Sequence, residues 1–222
     1  MLSISDRKRL ETFEVVKRII DILGSIFCLL LFSPLLLITA FVIKITSPGP
    51  VFADIPKRVG KGGKLFRLYK FRSMIVNAHN LMKSDPKFKD LYKVYRESSY
   101  KLHKDPRVTK VGKIIRRYSI DEMPQFINVL KGEMSIVGPR AYYKDELEEQ
   151  QKKYPHTREL VKEVLKVKPG ITGYWQVSGR SEVNFDKRIE MDAYYARKKS
   201  ILFDILIILK TPWAMITGKG AV

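Results

Sequence analysis

Residues 22–43 read ILGSIFCLLLFSPLLLITAFVI, an uncharged run bounded by Asp21 and Lys44. As one continuous helix it would rise about 33 Å, close to the hydrocarbon thickness of a bilayer. It is long for the apolar core of a cleaved signal peptide, and no small-residue cleavage pattern follows it. At its centre stands Ser33-Pro34. Proline lacks a backbone N–H and its ring meets the carbonyl of the preceding turn, so a helix kinks there. The freed carbonyl then needs another donor, which Ser33 can supply. The flanks set no direction: Arg7, Lys8, Arg9, Lys17 and Arg18 precede the run, and Lys44, Lys57, Arg58, Lys61 and Lys64 follow it. A spanning helix has its Lys/Arg excess on the cytoplasmic side. Two readings stay open from these residues: a kinked spanning helix, and a hairpin that enters and leaves by the cytoplasmic face.

Outward from this run the chain is strongly basic, with a formal net charge of +19 over 222 residues. Such a surface seeks polyanions: nucleic acid, anionic lipid head groups or phosphorylated small molecules. At 45% hydrophobic residues the chain can bury a core, which excludes wholesale disorder. Cys28 is the single cysteine, so no disulfide forms within the chain, and His79, His103 and His156 are scattered without zinc spacing. These features fit a reducing, cytoplasmic setting for the part outside the membrane. Near the C-terminus, residues 201–215 are apolar but interrupted by Asp204, Lys210 and Pro212. That segment is too short and too charged to span. An amphipathic helix lying in the interface and a buried core helix are both compatible with it.

Between the two apolar segments, Pro48-Gly49-Pro50 marks the exit from the first. Strand-like stretches at 51–55 and 65–71, separated by Val59-Gly60-Lys61-Gly62-Gly63, predict a β-hairpin. The glycine turn is no Walker loop, because the spacing fails and no Lys-Ser/Thr opens a helix after it. Residues 74–103 read as polar helix with a break at Asp85-Pro86. A helical stripe through Val108, Val111, Ile114 and Ile115 ends in Arg116-Arg117, and a further helix through residues 126–130 stops at Gly132. Long helices are expected at 143–166 and 185–210. The class is α+β, predominantly helical.

The densest chemistry lies at 116–124, RRYSIDEMP. Ser119 and Glu122 have the spacing of a capping box, and Pro124 suits an opening turn. The same residues set two adjacent carboxylates, Asp121 and Glu122, beside two arginines at a helix start, where anionic phosphates bind. One carboxylate can attack phosphorus while the other holds magnesium. Downstream, VGPR (137–140) and KPGITGYWQVSGR (168–180) are Gly/Pro turns, each presenting an arginine, Arg140 and Arg180. Guanidinium forks suit bidentate phosphate binding.

Taken together, the Ser-Pro-broken segment, SPGPVF, RVGKGGKLFRLYKFRSM, DPRVTKVGKIIRRYSIDEMPQFINVLKGEMSIVGPR, KPGITGYWQVSGR and the Asp192-Ala193-Tyr194-Tyr195 stretch resemble the bacterial sugar transferases, the monotopic polyprenyl-phosphate phosphoglycosyl transferases. The resemblance runs from Lys17 to the C-terminus. It implies a re-entrant membrane helix over residues 1–46, bent at Ser33-Pro34 with both ends cytoplasmic. A cytosolic catalytic domain with amphipathic interface helices would occupy 47–222. It also implies that Asp121 is the nucleophile, Glu122 the Mg²⁺ ligand, and Arg116, Arg140 and Arg180, with Asp192, the phosphate or substrate contacts. Lys17 and Arg18 would anchor the segment at the interface. The implied reaction moves a sugar-1-phosphate from a UDP-sugar to polyprenyl (undecaprenyl) phosphate at the cytoplasmic face of the inner membrane, releasing UMP. Membrane lipid is then a partner and nucleic acid is not. The family's larger members carry further N-terminal membrane helices, and this chain is expected to be the minimal catalytic form.

The sequence departs from the family at Pro56, where glutamine is common, and at Ala141, where proline is common. It departs again in the long, lysine-rich stretch 77–104. The identity of the sugar is left open. Two non-catalytic readings compete, a membrane-tethered nucleic-acid binder and a scaffold holding anionic lipid. The first lacks any helix-turn-helix, zinc or RNA-binding signature. The second gives Asp121 and Glu122 no role beyond capping.

Overall fold

The computed structural model describes residues 4–97, 102, 105–179 and 183–216. The first apolar run forms two helices, α1 (Ile4–Leu31) and α2 (Ser33–Thr46), which bend by 62° at their junction. Pro34 lies in the first turn of α2, where a missing N–H leaves no helix bond broken. The carbonyl it would otherwise have faced, that of Leu30, accepts the Ser33 hydroxyl at 2.8 Å. Among the described residues no single helix is long and apolar enough to cross a membrane. The bent pair meets the test only jointly.

The hairpin is present but short. Strand β1 (Arg58–Val59) pairs antiparallel with β2 (Leu65–Phe66), and an isolated bridge joins Phe52 to Phe71. Its first strand was expected at 51–55; Pro56, which has no N–H to donate, separates that stretch from the ladder. The 74–103 region contains α3 (Ala78–Ser84) and α4 (Lys89–Glu97), divided at Asp85-Pro86, where the Asp85 carboxylate accepts the Lys87 N–H. Then come α5 (Lys110–Arg117), α6 (Gln125–Leu130) and β3 (Ser135–Val137). The expected helix over 143–166 is two, α7 (Lys144–Lys153) and α8 (Arg158–Val164), interrupted by Pro155. After β4 (Gly170–Thr172) and α9 (Tyr174–Ser178), the helix expected over 185–210 is also two, α10 (Phe185–Lys198) and α11 (Ile201–Ile216), with Lys199 extended between them.

Strands β3 and β4 run parallel, Ser135 opposite Gly170 and Val137 opposite Thr172; β4 falls in a stretch expected as a Gly/Pro turn, and β3 ends where the 137–140 turn begins. Their approach needs glycine: a Cβ on Gly170 would fall 2.0 Å from the Gly138 nitrogen. The main core packs Leu147, Val161, Val164, Phe185 and Ile189 between α7, α8 and α10. Helix α11 packs on one face only. It buries Asp204 and Ile207 while leaving Leu202, Leu209 and Trp213 exposed.

The bent helix pair turns its polar residues inward. Asp21, Ser25 and Thr39 are buried, whereas Leu23, Phe27, Leu30, Leu37 and Phe41 are exposed. Asp21 accepts from the Ser135 hydroxyl at 3.0 Å and the Ile136 N–H at 2.9 Å. Arg18 donates to the Val129 and Leu130 carbonyls at 2.6 and 2.8 Å, at the C-terminal end of α6. Lys17 donates to the Val137 carbonyl at 3.1 Å and pairs with Asp204 at 2.5 Å. Lys17 and Arg18, expected at a lipid interface, are thus directed onto protein oxygens and join α1 to the domain.

Candidate active site

From Leu65 to Lys70 the chain alternates outward and inward, with Phe66 and Leu68 buried and Lys70 on the cavity wall, and then Phe71, Arg72 and Ser73 are all buried. Two contacts fix it against the next layer. The Asn128 side chain of α6 accepts the Tyr69 N–H at 2.9 Å and donates to the Arg67 carbonyl at 2.7 Å, standing in for a strand partner. The Phe71 N–H donates to the Asp121 carbonyl at 2.9 Å. Lys70 is thereby held beside both carboxylates, its Nζ 2.9 Å from Asp121 Oδ2 and 3.1 Å from Glu122 Oε1.

Asp121 and Glu122 sit in a 3₁₀ turn (Ile120–Glu122) ahead of the six-residue α6. The capping box expected from Ser119 and Glu122 is not formed. Ser119 has left-handed backbone, φ 55°, and its side chain makes no cap bond. The site therefore owes little to a helix dipole, and its positive potential comes from side chains. A cavity of about 350 Å³ opens over the two carboxylates, and Lys70, Arg116, Arg140 and Arg58 line it with them. Ser119 and Asn77 (φ 58°) are the two non-glycine residues with left-handed backbone among the described residues, and both lie on its wall. Backbone held in sparsely populated conformations gathers at functional sites.

The two carboxylates are poised differently. The Asp121 side chain is 3% exposed and that of Glu122 41%. Burial pushes the Asp121 carboxyl above its ordinary range, against the pull of Lys70 and with the charge of Glu122 adding to the rise. Burial also acts upward on Glu122, but Lys70, then Arg140 and Arg58, outweigh it and hold that carboxyl below the usual range. Lys70 is the charged group in contact with Asp121 Oδ2, at 2.9 Å. The arrangement can present one buried carboxylate oxygen to an electrophile and one solvent-facing carboxylate to a cation, inside a ring of positive charge. That is what an anionic phosphorus centre requires.

A match to the family model described as bacterial sugar transferase covers residues 12–218. The chain belongs to the bacterial sugar transferase family. It is 39% identical, over its whole length, to the undecaprenyl-phosphate galactose phosphotransferase of Salmonella typhimurium, of which it covers 44%. To the exopolysaccharide production protein ExoY of Sinorhizobium fredii it is 38% identical over 93% of this chain and 88% of that protein. To the UDP-glucose:undecaprenyl-phosphate glucose-1-phosphate transferase of Escherichia coli it is 41% identical over 94% of this chain and 42% of that protein. It thus spans less than half the length of the first and third of these relatives.

In this member of the family four of the expected site residues, Arg116, Asp121, Glu122 and Arg140, line one cavity. Arg180 lies outside the described residues. Asp192 is a correction: it is fully buried behind the cavity wall rather than facing it. There its Oδ2 accepts the Tyr142 hydroxyl at 2.8 Å and the Arg140 N–H at 3.2 Å. It is thereby bonded to the Arg140 backbone. Lys70 and Arg58 carried no assignment from sequence. Arg58 is 8% exposed and stacks 3.3 Å over the Tyr143 ring, a neighbour that β1 supplies only through tertiary pairing.

Among the described residues no group of three or more His, Cys, Asp or Glu could hold a metal alone. The donor set nevertheless suits Mg²⁺, which is held through one or two carboxylates together with substrate phosphates. Glu122 faces the cavity with only one oxygen engaged by Lys70.

Proposed function

We propose that this chain transfers a sugar-1-phosphate from a UDP-sugar to polyprenyl phosphate, with release of UMP, through a covalent intermediate on Asp121. The observation that carries the reading is the Lys70–Asp121–Glu122 cluster on the wall of an arginine-lined cavity. The names of the relatives add to it: two are undecaprenyl-phosphate sugar phosphotransferases, one of them acting on UDP-glucose.

In the first half-reaction an Asp121 carboxylate oxygen attacks the sugar-linked phosphorus, a P–O bond to Asp121 forms, and the bond to the UMP oxygen breaks. Lys70 opposes the upward push that burial exerts on the Asp121 carboxyl and neutralises charge as it shifts toward the leaving phosphate. Arg116, Arg140 and Arg58 receive that phosphate. In the second half-reaction a polyprenyl phosphate oxygen attacks the same phosphorus and Asp121 is regenerated. Electrons balance without oxidant or reductant. Splitting one displacement into two lets UMP leave before the lipid approaches. Mg²⁺ held by Glu122 would supply charge neutralisation on the diphosphate.

Residues 1–46 are proposed as a re-entrant membrane element on the cytoplasmic face, and 47–222 as the catalytic domain. Support comes from the 62° bend and from the inverted polarity of the helix pair, polar inward and apolar outward, with the exposed apolar face of α11 as a second contact. An exposed apolar surface of that extent marks a partner or a membrane. Radiolabelled UDP-sugars incubated with purified protein and undecaprenyl phosphate test the activity. Multiple turnovers of UMP and a lipid-linked product should appear together with the lipid phosphate present, and without it UMP release should stop at no more than one equivalent per protein. Turnover of no UDP-sugar would reject it.

A further inference from the structure

One group of cavity-lining residues is not used by the chemistry above. Asn77, His79, Tyr95 and Asp105 line the same cavity as Asp121, and Tyr143 joins them to Arg58. They form one wall. His79 packs on Tyr143 with ring centroids 5.9 Å apart. Arg107 donates to the Ala78 carbonyl at 3.0 Å, and its guanidinium lies 5.8 Å from the Tyr95 ring.

The charges in this wall cancel internally. Asp105 is gripped by Arg107 through Nε at 2.8 Å and Nη2 at 2.6 Å, with both side chains buried. Burial, with nearby Lys83, pushes His79 down to about 4, so its imidazole is neutral at physiological pH. Its Nε2 is buried and has no hydrogen-bond partner. The wall thus offers hydrogen-bonding edges and aromatic surface with little free charge, the surroundings of a neutral polyhydroxyl ring rather than of a phosphate. A nucleobase fits it less well. Bases bind by lying on open aromatic faces, and the Tyr143 ring already carries Arg58 at 3.3 Å and His79 beside it.

Asn77, His79 and Tyr95 all come from the 77–104 stretch, a segment distinct from the one that carries Asp121 and Glu122, yet they line the same cavity. The relatives differ in their sugar, galactose in one and glucose in another. From this juxtaposition we infer that the wall built by His79, Tyr95 and Tyr143 is the sugar subsite and sets which hexose is accepted. The inference rests on the transferase reading and deepens it.

The test compares kcat/KM for UMP release from UDP-glucose, UDP-galactose and their N-acetyl counterparts, in wild type, His79→Ala and Tyr95→Phe. Tyr95→Phe removes one hydroxyl and conserves the packing, so it guards against a folding artefact. A thermal melt accompanies each variant. The ratio between the best and second-best sugar should fall by about tenfold or more, since a hydrogen-bonded substrate hydroxyl is a strong discriminator. Inhibition by UMP should stay within about twofold, because UMP carries no sugar ligand for this wall. An equal loss for every sugar, an unchanged ratio, or weakened UMP inhibition would overturn the assignment while leaving the transferase reading intact. Failure of wild type to turn over any UDP-sugar would overturn both.

Discussion

Replacing Lys70 by methionine removes the cation that touches both carboxylates while conserving most of its packing volume. Its Nζ is 2.9 Å from Asp121 Oδ2 and 3.1 Å from Glu122 Oε1. Glu122 is 41% exposed against 3% for Asp121, so water screens the second contact and most of the loss falls on Asp121. Removing one partner of a buried ion pair costs about 3–5 kcal/mol. Protonation sets a ceiling. Asp121 can escape by taking up a proton, which for a carboxyl with an unfolded pKa near 3.9 costs about 4 kcal/mol at pH 7. The expected loss is therefore about 3–4 kcal/mol, and the melting temperature should fall by roughly 6–16 °C for a chain of this size. The pH dependence has a definite sign. Asp121 is already raised above its unfolded range, so the native state holds the proton more firmly than the unfolded chain. Lys70→Met should regain stability as the pH is lowered and lose it as the pH rises. A protonated Asp121 is no nucleophile, and turnover should drop by at least about 10²-fold. Melting curves in detergent and UMP release across pH read both effects. A variant that melts within about 2 °C of wild type, or keeps more than about a tenth of its rate, would show that Lys70 does not hold the pair.

Glu122→Gln should fold normally, lose most activity, and leave a residue of turnover that no longer responds to chelator or added Mg²⁺. Full rate with intact metal dependence would remove Glu122 from that role. Burial pushes the Asp192 carboxyl up to about 7, against the opposing hydrogen bonds of Tyr142 and Arg140. Wild type should therefore lose stability as pH rises through about 7, and Asp192→Asn, a permanently neutral acceptor for the same bonds, should flatten that decline; an unchanged slope counts against it. In sealed vesicles, after replacement of Cys28, cysteines introduced by Ser5→Cys and Lys61→Cys should both label from the cytoplasmic side, and labelling from opposite sides would reject the re-entrant element.

What the sequence disclosed was the chemistry that acts locally. Ser33-Pro34 bends a helix because a missing N–H and a nearby hydroxyl are properties of adjacent residues, and the Leu30 carbonyl contact is their direct outcome. Asp121 and Glu122 were legible as neighbours. Their surroundings were not. Lys70 lies some fifty residues upstream and reaches them only because Asn128 and the Phe71 N–H set the register. A lysine on the inward parity of Phe66, Leu68 and Arg72 was the available signal, since such a position is rarely charged without a partner. The β3–β4 pair escaped notice because three-residue strands far apart in sequence carry no periodicity. Asp192 looked like a site residue by motif, but burial behind Arg140 is a tertiary fact. The anchor role of Lys17 and Arg18 came from the family resemblance alone. The carbonyls at the end of α6 and the buried Asp204 take up these side chains, contacts that only the tertiary fold creates.

The covalent intermediate on Asp121 can be isolated from every other step by omitting the lipid acceptor. Wild-type protein incubated with a UDP-sugar and labelled UMP, without polyprenyl phosphate, should exchange label into the UDP-sugar, because the first half-reaction is complete and reversible alone. Sugar-labelled substrate should leave a protein-bound sugar phosphate that maps to Asp121. Asp121→Asn should abolish both, with a loss on the order of 10⁴-fold or more and little change in melting temperature. Exchange that strictly requires polyprenyl phosphate, or exchange that survives in Asp121→Asn, would contradict the account and require direct transfer between the two substrates.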